Sequence, residues 1–120
     1  MEADYFETIV IGGSQAGLSA GYYLAGEGRE FLILEANDSV GGAWRNRWDS
    51  LRLFTPAKFS RPPGMRIPGA SEWYFATKDE MADYLEEYSR RFKLPVHTGV
   101  AVDGLTRADG RFVVSAGDRR

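Results

Sequence analysis

The sequence predicts an α/β fold in three layers, built on a parallel sheet, and three observations carry the prediction. Thr8 to Ile11 form an unbroken β-branched run that stops at Gly12, as does a strand covered on both faces. A second apolar run, Phe31 to Leu34, follows after one helix-length of chain, the spacing of a strand-helix-strand crossover of about thirty residues. Farther on, Met81, Tyr84, Leu85, Tyr88 and Phe92 recur on one helical face. With 120 residues, 43% hydrophobic and 27% charged, the chain can bury one core and reads as a single domain over residues 1–120.

In chain order, Thr8 to Ile11 make the first strand. From Ala16 onward Leu18, Ala20, Tyr22, Leu24 and Ala25 suit a helix, and Gly26 and Gly28 supply its stop. Phe31 to Leu34 make the second strand, which ends at Glu35. The stretch from Ala36 to Thr77 has no period and holds four of the five prolines and all three tryptophans; loops of that length are functional or carry short elements of their own. Thr77 and Glu80 are spaced as a capping box at the head of the amphipathic helix. Pro95 ends that helix. Val96 to Thr106 and Arg111 to Ser115 then read as strands, with Asp109-Gly110 favouring a hairpin turn between them. The chain stops at "SAGDRR" with no closing element, so the sequence reads as truncated within the start of a β-hairpin or meander.

Composition excludes several functions. Formal net charge is -2 and no Lys/Arg cluster is interleaved with aromatics, so a nucleic-acid partner is not expected. There are no cysteines, which removes disulfides, thiolate catalysis and cysteine-held zinc. One histidine, His97, offers no metal or Ser-His-Asp constellation; no metal is expected, and a lone strand histidine is given no role. The acidic "MEADYFE" leads into an apolar run too short for a signal or a membrane span, and the expected location is cytoplasmic, with no membrane partner. Asp79, Glu80, Asp83, Glu86 and Glu87 precede Arg90, Arg91 and Lys93 along the helix, which suits its dipole and a solvated face.

The chemistry lies in "VIGGSQAGL". A dinucleotide-binding turn wants Gly-x-Gly-x-x-Gly; Gly12 and Gly17 hold the first and third places, and Ser14 holds the second. The helix that follows points unpaired N–H groups and the positive end of its dipole beyond the first strand, where pyrophosphate binds. Gly12 permits the tight turn, and Gly17 and Gly21 let the helix lie close to the sheet. With negative φ, Ser14 adjusts the site without abolishing it, and Gly13 beside it can absorb a local change. A glycine-rich strand-to-helix turn can also serve packing alone. Glu35, eighteen positions after Gly17, stands near the offset at which an acid meets the adenosine ribose, which favours FAD or NAD over NADP at this site; as a bland alternative, it is an acid that ends a strand. Together these point to a Rossmann-like FAD/NAD(P)-binding fold.

At "VIGGSQAGL", "FLILEANDSVGGAWRNRWDSLRLFTPAKF" and "TKDEMADYLEEYSRRFKLPVHTGVAVDGLTR" the sequence resembles the flavin-containing monooxygenase-like, FAD/NAD(P)H-dependent oxidoreductases over nearly its whole length. The resemblance implies that Gly12, Gly13, Ser14, Gln15, Ala16 and Gly17 hold the FAD pyrophosphate and Glu35 the ribose. It also implies that Gly41, Gly42 and Trp44, followed by Arg45, form a Gly-Gly-x-Trp loop over the flavin, and that the Val100 backbone meets adenine. Trp48 and Trp73 stay unassigned. An NADPH-binding domain, the partner cofactor site of such enzymes, would lie downstream of these residues. No catalytic acid or base is identified.

The implied function is the FAD-binding part of a monooxygenase that uses NAD(P)H and oxygen to oxygenate a small organic substrate, these residues alone being inactive. Two rivals stand beside it. One is a flavin-dependent reductase of the two-dinucleotide-binding superfamily, which a Cys-x-x-Cys would favour and this stretch lacks. The other is a non-catalytic nucleotide-binding module or remnant. Substrate and oligomeric state are not legible.

Overall fold

The computed structural model describes residues 4–120; the first three residues of the acidic start lie outside them. The elements are β1 (Thr8–Ile11), α1 (Gln15–Gly26), β2 (Phe31–Leu34), α2 (Gly42–Arg45), α3 (Ala57–Ser60), α4 (Lys78–Arg91), β3 (Val96–His97), β4 (Gly104–Ala108) and β5 (Arg111–Ser115). The first three strands form a parallel sheet in the order β1-β2-β3, and β4 and β5 pair antiparallel as a separate two-stranded sheet.

Right-handed crossovers in a sheet of this order put both connecting helices on one face. In agreement, α1 and α4 touch through their rings: Tyr22 meets Phe92 edge-on at 5.0 Å and lies 6.4 Å from Tyr88. The core runs between these helices and β2, where Leu18, Ile33, Met81, Leu85 and Tyr88 are fully buried. At the head of α4 the capping box is formed, with Glu80 N–H donating to Thr77 Oγ1 at 3.1 Å and Thr77 N–H to Glu80 Oε1 at 2.9 Å.

The aperiodic stretch is held by α4 and by itself. Tyr84 donates its hydroxyl to the Met65 carbonyl at 2.7 Å and Tyr88 to that of Pro63 at 2.6 Å. Leu53 N–H bonds Ala76 O at 2.9 Å and Ala57 N–H bonds Tyr74 O at 2.8 Å. Leu53, Ala57, Met65, Ile67 and Ala76 join the core, so this is packed structure with two one-turn helices.

Among the described residues β1 pairs with β2 alone; Thr8 to Val10 are half-buried and Ile11 is 50% exposed. One expectation is corrected. The strand expected from Val96 to Thr106 divides into β3 and β4, since Gly99 takes a φ of +69° and turns the chain out of the sheet. The glycine stop of α1 is as expected: Gly26 is its last residue and Gly28 has a φ of +67°. The hairpin is as expected: Asp109 and Gly110 both have positive φ, the two-residue turn that matches strand twist.

Candidate functional site

The turn between β1 and α1 is built around two glycines. Gly12 has a φ of +103°, and its N–H bonds Leu34 O at 2.7 Å. A Cβ on Gly17 would lie 1.8 Å from the Gly12 carbonyl oxygen, so any side chain there breaks the turn. Ser14 has φ -101° and ψ -156°, an extended conformation open to every residue. The serine in the second place therefore causes no backbone strain. It is the N-cap of α1, yet its side chain makes no cap; the hydroxyl donates to Gln15 Oε1 at 2.5 Å. No acidic side chain sits in the first turn of α1, and Ala16 there is exposed. The positive end of the helix is thus left for an anion.

Glu35 is 5% exposed and faces the same turn. Its Oε1 accepts the Gly13 N–H at 2.9 Å, while Oε2 accepts the Asn37 backbone N–H at 2.7 Å and Asn37 Nδ2 at 2.8 Å. Three donors replace the hydration that the carboxylate loses on burial. A carboxylate has about four lone-pair sites, so acceptor capacity remains for a ribose hydroxyl. Asn37, which sequence reasoning missed, is the hub: its carbonyl accepts the Gly99 N–H at 2.8 Å. Its position two residues after Glu35 was the only signal.

Trp44 lies on α2, half-buried, and its indole N–H donates to Gln15 Oε1 at 3.1 Å, tying the Gly-Gly-x-Trp loop to the phosphate turn. A Cβ on Gly42 would lie 2.6 Å from that of Asn37, so the loop entry packs directly on the segment after β2. The Arg45 side chain and the Val100 N–H both have partners within the chain. The Arg45 guanidinium bonds Asp83 at 2.6 Å and sits 3.2 Å from Glu86, both on α4; the hydrogen bond to Asp83 raises its already high pKa. The Val100 N–H bonds the Glu35 carbonyl at 2.9 Å, leaving its own carbonyl as the free backbone group. Gly12 to Gly17, Glu35, Gly42 and Trp44 are brought together around one turn. His97 is exposed on β3 and uses its carbonyl to accept the Glu35 N–H at 2.9 Å.

Among the described residues no group of acidic, histidine or cysteine side chains could hold a metal, and no helix is long and apolar enough to cross a membrane. An open hollow of 520 Å³ is lined by residues including Trp48, Leu51, Arg52, Phe54 and Phe75. None of the residues around the phosphate turn lines it, and the chemistry points to the turn as the site.

The family model for pyridine nucleotide-disulphide oxidoreductases matches residues 9–119. The chain belongs to that family. Among members of known sequence, it is 48% identical over 109 residues to an uncharacterized oxidoreductase, CzcO-like, of Geobacillus kaustophilus, covering 91% of this chain and 31% of that protein. It is 36% identical over 89 residues to a probable indole-3-pyruvate monooxygenase, YUCCA1, of Arabidopsis thaliana, covering 72% of this chain and 21% of that one. Among solved structures, a flavin-containing monooxygenase from Stenotrophomonas maltophilia matches 100% of this chain and 36% of its own, with a TM-score of 0.87 and 40% identity. The chain thus spans about a third or less of the length of these relatives. The resemblance to flavin-containing monooxygenase-like oxidoreductases read from the sequence is borne out, as is the FAD/NAD(P)-binding fold class.

Proposed function

We propose that residues 1–120 form the FAD-binding part of a flavoprotein monooxygenase-like oxidoreductase that uses NAD(P)H and oxygen to oxygenate a small organic substrate. The observation that carries this reading is the hydrogen bond from the Gly13 N–H to Glu35 Oε1 at 2.9 Å. It holds the ribose acid against the phosphate turn, which is how a dinucleotide's two polar features are spaced. The similarity to the Stenotrophomonas enzyme supports oxygenation over disulfide reduction, and the absence of cysteine from this chain agrees with it.

The residues fit the group. Bare backbone at Gly12, Gly13 and Gly17 lets phosphate oxygens reach the first N–H groups of α1, while the Ser14 hydroxyl is spent on Gln15. Glu35 would accept from the ribose hydroxyls and repel a 2′-phosphate, selecting FAD over a phosphorylated dinucleotide. Trp44, held by Gln15, would give the ring system a flat wall that excludes water, and Val100 would offer its carbonyl to adenine. FAD, when bound, supplies the redox chemistry; this chain supplies binding, orientation and charge. An NADPH-binding domain beyond these residues is part of the same proposal, and no residue here is assigned as acid or base.

Equilibrium dialysis of the purified chain against FAD, with NADP as the competitor, tests the reading. Saturable FAD binding at one site per chain, undisturbed by NADP, is the expected result. Binding of NADP in preference to FAD, or of neither, contradicts it.

A further inference from the structure

We propose that Arg45 and Lys78 act as a two-point clamp that sets the position of Trp44 against the bound flavin, an inference that rests on the FAD reading above. α2 is one turn long, and a helix of that length has no stability of its own. Its position must come from what holds it. On the side of the cofactor turn, Trp44 has a single polar anchor, the 3.1 Å hydrogen bond to Gln15.

Besides the packing of Gly42 on Asn37, the charged groups that hold α2 come from α4. The carbonyl of Arg45, directly after Trp44, accepts Lys78 Nζ at 3.2 Å. The Lys78 side chain is only 9% exposed and its other partner is Asp79 Oδ1 at 3.0 Å, so a strongly hydrated ammonium has been drawn inward to grip a backbone oxygen. The Arg45 guanidinium reaches Asp83 at 2.6 Å and Glu86 at 3.2 Å, residues three apart and hence neighbours on one face of α4. At the entry to α2, a Cβ on Gly41 would lie 2.7 Å from that of Ala82, so the backbone of the loop lies against α4 midway between the two charged grips.

With its guanidinium engaged on α4, Arg45 acts as a positioning residue. The pair it makes is partly solvated, the Arg45 side chain being 34% exposed, and partly solvated ion pairs add little to folding stability. Loss of the clamp should therefore appear in the placement of Trp44 while the fold remains.

The test uses a background with Trp48→Phe and Trp73→Phe, both more than half exposed, which leaves Trp44 as the sole tryptophan. On it are placed Arg45→Met, Arg45→Lys, and the double change Asp83→Asn with Glu86→Gln. Without FAD, Arg45→Met and the acid-side change should each raise acrylamide quenching of Trp44 about twofold, as an unfastened turn opens locally. Combining them should add nothing, and Arg45→Lys should rescue in part because an ammonium reaches one carboxylate and not both. With saturating FAD, the flavin-induced quenching of Trp44 should fall in the same order. Variants that are folded and keep both quenching values overturn the clamp, whatever their melting temperature. A parent protein that binds no FAD counts against the cofactor reading, and the acrylamide series then decides the clamp by itself.

Discussion

The Gly13 backbone N–H and Glu35 Oε1 meet at 2.9 Å in a buried hydrogen bond between residues 22 apart in sequence. The first is in the turn after β1, the second at the end of β2, and the sheet register that pairs Ile11 with Leu34 brings them together. A Cβ on Gly13 would lie 3.2 Å from that of Glu35, so the small residue and the acid are fitted to each other.

The turn itself predicts an asymmetry between its glycines and its serine. Gly17→Ala puts a methyl group 1.8 Å from the Gly12 carbonyl and should destabilise the fold by about 3 kcal/mol or more, as other enforced core clashes do. Ser14→Gly, at an extended φ of -101°, should change stability by less than about 1 kcal/mol and leave FAD affinity intact. Urea unfolding of both variants checks the first statement and flavin titration the second. A Gly17→Ala protein as stable as its parent contradicts the geometry.

Alkaline pH should unfold the protein through its buried tyrosines. Burial pushes the Tyr88 phenol up to about 12, with the neighbouring Tyr22 ring adding to the shift, and burial likewise pushes Tyr84 up. In the unfolded chain these phenols ionise at about 10. A raised folded pKa contributes stability that is complete below the unfolded value and is lost as pH rises through the folded one. Melting temperature should hold steady to near the ordinary tyrosine pKa and fall between there and about 12. Tyr88→Phe should remove part of that fall; an unchanged profile in Tyr84→Phe/Tyr88→Phe contradicts the assignment.

At the acidic end the capping box sets the sign. The Thr77 backbone N–H first, and then the Tyr74 hydroxyl, hold the Glu80 carboxyl below its usual range. Its contribution is present above the ordinary glutamate pKa and lost as pH falls through the lowered one. Glu80→Gln should cost up to about 1 kcal/mol near neutral pH and less in acid, where the parent carboxylate has also lost its charge. Chemical denaturation at the two pH values checks this, and a cost that grows in acid would reverse the sign.

How much of this was legible in the sequence depended on how local the cause was. Gly12, Gly17 and Glu35 could be read because strand, turn and acid follow one another within one β-α-β unit, and the capping box because Thr77 and Glu80 are three residues apart. The break after β3 depends on Gly99, one glycine in a β-branched run. Arg45 follows the Gly-Gly-x-Trp motif, but its guanidinium is directed by Asp83 and Glu86, some forty residues on, and no local pattern reports that. The hub role of Asn37 likewise depends on Gly99 and Gly42 arriving from other segments.

The most direct test of the account is a titration of FAD, followed by flavin fluorescence, into Glu35→Ala beside Trp73→Ala. Trp73 is 63% exposed and packs against Phe59 at 6.2 Å, away from the phosphate turn's hydrogen bonds. Loss of a charge-assisted ribose contact weakens binding by roughly 1.5 to 3 kcal/mol, about tenfold or more. The account predicts that loss in Glu35→Ala and affinity within about twofold of the parent in Trp73→Ala. Equal and negligible losses in two folded variants would contradict it, and the acid at the end of β2 would then be a fastener for Gly13 and Asn37 alone.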